Sequence, residues 1–378
     1  MMSTSTNQPT FHWFLPTSGD SRGIVSGGHG AAVEGTDRTR EPSAGYLRQV
    51  AQAAEANGFE SVLTPTGLWC QDSWVMAAAL SQHTERLKFL VAFRPGSVSP
   101  TLAAQMATTF QTITDGRLHV NIVTGGESSE QRAFGDFLGK DARYARTGEF
   151  LDVVSRLWDC EDSFDYRGEH LVVEQARLSR TPTPRPEVFF GGSSPAALEI
   201  AARHADVYLT WGEPPAQAKE KIDRVRELAA RQGRTVRFGI RLHTISRDTS
   251  AEAWAVAEGL LKRIPAELIE RQQDALRRSE SEGQRRMLAL NGGTTADLEI
   301  HPGLWAGVGL VRGGAGTSLV GSHAEVADLI RQYRDVGFDD FVLSGYPCLE
   351  EAYWFGEGVR PRVEALPTEE HSHDRAVS

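Results

Sequence analysis

Runs of strand-forming residues alternate with amphipathic helical stretches eight times along the chain, and this repeat constrains the fold more than any other feature. The strand-like runs fall near 10–15, 60–64, 87–93, 118–123, 187–190, 206–210, 237–245 and 340–344. Helical patterns lie near 43–57, 71–83, 100–114, 145–158, 194–203, 215–232, 251–290 and 323–336. Repeated βα order implies parallel strands joined by helical crossovers. Eight such units within 378 residues suit an α/β fold of the closed (β/α)8 TIM-barrel type. The open alternative, a doubly wound sheet, carries G-x-G-x-x-G directly after its first strand. Here Pro16-Thr17-Ser18-Gly19-Asp20 stands there instead, and Gly27-Gly28-His29-Gly30 lies in a long polar loop that reads as a flexible excursion.

Two segments exceed a minimal barrel: a hairpin expected near 163–174, and the stretch 246–321 between the seventh and eighth strands. The helical part of the second, 251–290, is charged and amphipathic, whereas Leu304 to Gly321 reads LWAGVGLVRGGAGTSLVG. Glycine carries a large backbone entropy, so the region of about 291–321 is expected to act as a mobile lid. Its Leu304, Trp305, Val308, Leu310 and Val311 need an apolar surface to close upon. Residues 10–366 read as one barrel domain, with 1–9 and 367–378 as flexible termini. The tail's His371 and His373 have no further ligand types beside them, and no metal site is expected.

Several function classes are excluded on composition. A net charge of -10 without a basic block gives no field for nucleic acid or anionic lipid. The longest apolar runs, such as Phe89 to Phe93, are strand-sized, so no membrane span is expected. The first ten residues lack the basic and apolar regions of a secretory signal, and the expected location is the cytoplasm. Cys70, Cys160 and Cys348 are too few and scattered for a disulfide framework or a zinc site. The G-x-S-x-G, G-x-x-x-x-G-K-[ST] and H-E-x-x-H patterns are missing.

In a (β/α)8 barrel the chemistry lies at the carboxyl ends of the strands. The seventh strand, Arg237-Phe-Gly-Ile-Arg-Leu-His-Thr-Ile245, places Arg241 and His243 on one face and Ile240 and Leu242 on the other. The apolar face should meet helices, leaving Arg241 and His243 at the mouth. A guanidinium there needs company, either a bound anion or a structural ion pair with a neighbouring carboxylate. Arg312, at the centre of the glycine-rich segment, would bring a second guanidinium over the same space. After the fifth strand, Phe190-Gly191-Gly192-Ser193-Ser194-Pro195 leads straight into a helix; this suits both a phosphate cradle and an ordinary Ser N-cap. Val123-Thr124-Gly125-Gly126 makes a similar narrow turn after the fourth strand.

These motifs resemble those of the two-component, FMN-dependent alkanesulfonate monooxygenases of the bacterial luciferase-like superfamily. The likeness runs from Trp13-Phe14-Leu15-Pro16-Thr17 through Leu63-Thr64-Pro65-Thr66-Gly67, Asn121-Ile122-Val123-Thr124-Gly125, Gly191-Gly192-Ser193-Ser194 and Tyr208-Leu209-Thr210-Trp211-Gly212. It continues through Arg237 to His243, Leu304 to Gly316 and Leu343-Ser344-Gly345-Tyr346-Pro347. The resemblance implies that reduced FMN, supplied by a separate NAD(P)H-dependent reductase, activates O2 to cleave the carbon–sulfur bond of an organosulfonate, releasing sulfite and an aldehyde. It further implies catalytic roles for Arg241, His243, Arg312, Tyr346 and Trp211. Ser193, Ser194 and Tyr144 would reach the flavin phosphate beside Gly192, and Ala92, Val123 and Thr124 would line the ring. Cys70 matches a cysteine near the family's active site, and a homo-oligomer, such as a tetramer, is the expected assembly.

The chain also departs from the family pattern. Ser18 and Cys348 stand where histidines are common, and Leu68-Trp69 replaces a polar pair beside Cys70. These five residues would shape the substrate pocket and make it more hydrophobic. Two other readings therefore stay open: the same flavin chemistry on a sulfone or a sulfur-free secondary metabolite, and a non-catalytic binding protein built on this barrel.

Overall fold

The computed structural model describes residues 8–24 and 40–365. Eight parallel strands close a barrel: β1 (Thr10–Phe14), β2 (Ser61–Thr64), β3 (Lys88–Phe93), β4 (Leu118–Ile122), β5 (Glu187–Gly191), β6 (Val207–Trp211), β7 (Arg237–Arg247) and β8 (Asp340–Ser344). Each pairs with its neighbours in that order, and β8 returns to β1 through the register Thr10↔Asp340 to Trp13↔Leu343. All eight match the runs expected from sequence. The reason is burial on both faces, which writes a parallel strand as a dense apolar run such as Phe89-Leu90-Val91-Ala92-Phe93.

β7 is longer than its neighbours and has two partners along one edge. Its residues 237–241 pair with β6, whereas 243–247 pair with a strand of the insertion, Ser318–Ser322. On its other edge, 239–243 pair with β8. The insertion is thus stitched by backbone hydrogen bonds into the strand that carries Arg241 and His243. Ile240 and Leu242 are fully buried on the outer face, as the period of two requires.

The helical stretch 251–290 is three helices rather than one: Ser250–Lys262, Ala266–Arg277 and Glu282–Asn291. Pro265 cannot continue the first of them, because it lacks an N–H and clashes with the preceding turn. Ser281 starts the third by accepting a bond from Gln284 N–H. Leu304, Trp305, Val308, Leu310 and Val311 are all buried, Leu304 in the main barrel core and the other four in one cluster with Ile245, Ala257, Leu260, Leu268 and Ile269. These four close on the first two insertion helices. The glycines of this segment serve close packing: Gly309 N–H donates to Gly316 O at 2.9 Å, and a Cβ on Gly316 would lie 2.7 Å from Gly309 Cα.

The hairpin forms from Phe164–Arg167 and Val172–Ala176. A further helical segment that the periodicity did not indicate follows β8: Cys348–Tyr353, the wider turn Trp354–Val359 and Arg360–Glu364. Its Phe355 packs on Phe11 and Phe59, at ring distances of 5.0 and 5.6 Å. Among the described residues, no helix is long and apolar enough to cross a membrane, and no group of three His, Cys, Asp or Glu could hold a metal. Gly27 to Gly30, His371 and His373 lie outside the described residues.

Candidate active site

The carboxyl ends of the strands open into one continuous cleft with two chemically different ends. The wider part encloses about 910 Å³, open to solvent, and the narrower about 640 Å³. Asn121, Val123, Leu209 and Trp211 line both parts and join them. All four belong to or immediately follow barrel strands and point inward on the two-residue period. Asn121 was not singled out from sequence, although it shares the face of Val123.

The wide end is built on the helix that follows β5, Pro195–His204. Ser194 caps it, accepting from Ala197 N–H at 3.3 Å, and also bonds Tyr144. Gly192 lets the turn close: a Cβ there would lie 2.5 Å from Ala197 Cβ and 3.3 Å from Tyr144 Oη. Ser193, Thr124 and Lys140 line the same space, and Lys140 Nζ donates to Glu280 O at 2.8 Å. Hydroxyls, an ammonium and a helix N-terminus converge here, a donor set that suits a phosphate monoester. The outer wall is the start of the third insertion helix, Ser281, Glu282 and Gly283. Arg286 of that helix and Lys221 both pair with Glu213, whose carboxylate is buried after β6.

The narrow end is lined by Phe14, Leu63, Pro65, Trp69, Ala92, Arg241 and Arg312. Arg241 and Arg312 are both buried and share the ring of Phe14, with guanidinium carbons 5.0 and 5.6 Å from its centroid. Phe14 too went unnoticed in the sequence. Arg241 Nη2 donates to Ser344 Oγ at 2.8 Å, and its Nη1 to the carbonyl oxygens of Leu242 and Val342. Among the described residues, no carboxylate stands within ion-pair distance of Arg241, so the structural ion pair left open above is not formed there. Burial, followed by the charge of Arg312, pushes Arg241 down to about 9.

His243 stacks on Tyr346, with ring centroids 5.3 Å apart at 19°. Burial and the two arginines hold its imidazole well below the usual range, hence neutral. The Tyr346 hydroxyl is buried without a hydrogen-bond partner, and burial raises it further from ionisation. Ser18, Cys348 and Asp20 line a small recess on the other side of Arg312, together with His243 and Tyr346. Cys348 N–H donates to Asp20 Oδ2 at 2.8 Å, and burial lifts its thiol well above the ordinary range.

Of the five residues expected to shape the substrate pocket, Trp69 lines the main cleft and Ser18 and Cys348 line the recess. Leu68 and Cys70 line neither. Leu68 is 59% exposed, and its N–H is tied to Glu130 at 2.9 Å. The Cys70 thiol turns back to the carbonyl oxygens of Pro65 and Gly67, and burial lifts it to about 12, so it is no thiolate.

A closed parallel barrel whose mouth sets an anion-ready helix terminus opposite two buried arginines defines an enzyme-like ligand site of the (β/α)8 class. Within that class, the chain belongs to the luciferase-like monooxygenase family, whose sequence model matches residues 10–340. Similar solved structures share the fold at low identity. Riboflavin lyase (RcaE), with modified FMN and riboflavin bound, superposes with a TM-score of 0.78 at 20% identity, covering 94% of this chain and 91% of the other. Long-chain alkane monooxygenase (LadA) gives 0.73, also at 20%, with coverage of 94% and 91%. EDTA monooxygenase (EmoA) from Chelativorans sp. BNC1 gives 0.71 at 19%, with 95% and 94%. F420-dependent enzymes share the fold as well, at 16% identity.

Proposed function

We propose that this protein is an FMN-dependent monooxygenase that takes an anionic substrate, and that the substrate is an organosulfonate cleaved to sulfite and an aldehyde. The observation that carries the reading is Arg241, a buried guanidinium at the narrow end of the cleft with no carboxylate counter-charge among the described residues. A buried cation in that situation is stabilised by whatever anion enters. A sulfonate has the charge and the oxygens for two guanidinium groups.

The wide end supports FMN, because its donors match one phosphate. Ser193, Ser194, Tyr144 and Lys140 would hold that phosphate, while Gly192, Val123, Thr124 and Ala92 would leave room for the flat ring. Bound in the reduced state, FMN supplies the electrons that activate O2. Arg241 and Arg312 orient the sulfonate on the Phe14 ring. Trp69 and Trp211 keep the narrow end apolar and exclude water, which strengthens each charge contact inside. Arg241, pushed down to about 9, is poised to give up a proton from Nη as charge develops, and Tyr346 offers an unpartnered hydroxyl beside it. Movement of the 291–321 segment, carrying Arg312, would admit and enclose the substrate. A separate NAD(P)H-dependent reductase, a cytoplasmic location and a homo-oligomer belong to the same proposal.

The test is sulfite release from a panel of primary alkanesulfonates with a flavin reductase, NADH and O2. Release from at least one is expected, and none from any would overturn the substrate assignment. The apolar lining by Phe14, Leu63, Pro65 and Trp69 favours a second reading, the same flavin chemistry on a sulfone or a sulfur-free metabolite. Mass spectrometry of products from such compounds decides between the two.

A further inference from the structure

The recess beside Arg312 is lined by a polar side chain that touches both Arg241 and His243: Ser344, the last residue of β8. The register places it directly opposite His243 of β7, with Val342 opposite Arg241. Its Oγ lies 2.7 Å from His243 Nδ1 and 2.8 Å from Arg241 Nη2. The far side of the imidazole is also committed, since His243 Nε2 lies 3.1 Å from Ala315 O in the insertion.

These contacts have one consistent set of proton positions for a neutral imidazole. A carbonyl oxygen only accepts, so Nε2 carries the hydrogen and Nδ1 is bare. Bare Nδ1 needs a donor, which is the Ser344 hydroxyl. The lone pairs of Ser344 Oγ are then free to accept from Arg241. The chain runs in one direction, from Arg241 through Ser344 and His243 to Ala315, linking both barrel strands to the insertion.

We propose that Ser344 is the positioning residue of this site: with the Nε2–H tautomer set by Ala315 O, its single hydroxyl donates to the bare Nδ1 of His243 and holds the Arg241 guanidinium in place for the anion. The role is positioning rather than proton relay. His243 has no hydrogen on Nδ1 to return through Ser344, and its only N–H is spent on Ala315. The proposal rests on the reading of Arg241 as the anion-binding group, but its first consequence concerns the ligand-free protein alone.

The experiment compares wild type with Ser344→Ala and Ser344→Thr. Correlation spectra of 15N-histidine-labelled, ligand-free protein should show His243 as the pure Nε2–H tautomer in wild type and in the threonine variant. In Ser344→Ala the Nε2–H tautomer should persist while the Nδ1 signal moves downfield, as for a bare nitrogen that has lost its hydrogen-bond donor. The dissociation constant for pentanesulfonate should rise at least tenfold in Ser344→Ala and return to within threefold in Ser344→Thr. FMN affinity should stay within twofold in both, which also shows that they fold. An unchanged Nδ1 signal in Ser344→Ala, or pentanesulfonate binding within twofold of wild type, would overturn the proposal. If wild type binds no sulfonate yet the Nδ1 signal moves as expected, the organosulfonate reading fails and the Ser344 link stands.

Discussion

Under the proposed function, the two ends of the cleft would each hold an anion, and by opposite means. At the wide end the donors come mainly from backbone and small side chains: a helix terminus, Ser193, Ser194 and the close turn at Gly192. Such groups need no burial of net charge, because helix N–H groups are aligned by the fold itself. At the narrow end, Arg241 and Arg312 are full charges taken out of water and set on one aromatic ring. Burying Arg241 in this way costs folding energy, part of which is recovered when an anionic ligand meets it. The wide end is therefore expected to tolerate change, and the narrow end to fail abruptly.

The largest effect should come from Arg312→Ala. Truncating one partner of a buried, charge-assisted contact costs about 2–5 kcal/mol, roughly thirtyfold to several thousandfold in rate or affinity. Sulfonate turnover should fall by that much, while FMN binding at the other end stays within about threefold. Equal losses at the two ends would erase the distinction between them, and undiminished turnover would remove Arg312 from the site.

A second effect separates the ends by pH. Arg241 is depressed to about 9, with Arg312, Tyr346 and Cys348 as the groups that face it and His243 neutral beside it. It is charged below that value and neutral above it, so sulfonate affinity should be level below about pH 8 and fall by about tenfold per unit above pH 9. Bound sulfonate favours the charged form, which moves the limb to higher pH in the complex. FMN binding should show no such limb. A flat sulfonate profile to pH 10 would mean that Arg241 stays charged throughout and is not depressed to about 9.

The same contrast explains what was legible in the sequence. Barrel strands announce themselves because burial on both faces fills them with apolar residues, and the period of two then set Arg241 and His243 on the inner face correctly. The period ends where the strand ends. Leu68 and Cys70 lie in the loop after β2, where no repeat fixes direction; Leu68 is largely exposed, and the Cys70 thiol turns back on its own loop. Glycine was ambiguous for a different reason. Its entropy suggested a mobile segment at 304–321, whereas Gly309 and Gly316 use their missing side chains to bring two backbones together. Lys140 and Phe14 escaped notice because their roles depend on contacts between distant segments. Asn121 did carry a signal, since it sits two residues before Val123 on an inward face. The helices after β8 were hidden by their short pieces, with Pro361 inside the last.

The smallest effects should arise at the wide end, where two substitutions grade the cradle. Gly192→Ala places a Cβ 2.5 Å from that of Ala197, so the turn must open. Overpacking of this kind costs about 1–3 kcal/mol, and FMN affinity should fall roughly fivefold to a hundredfold. Ser194→Ala removes the cap bond to Ala197 N–H and, at about 1 kcal/mol for a lost N-cap, should weaken FMN by only about fivefold. Fluorescence titration of FMN measures both. The pH limb assigned to Arg241 should stay in place in each variant, because neither change touches the narrow end. If Ser194→Ala proves more damaging than Gly192→Ala, the serine hydroxyl rather than the closeness of the turn holds the phosphate, and the wide end depends on a side chain after all.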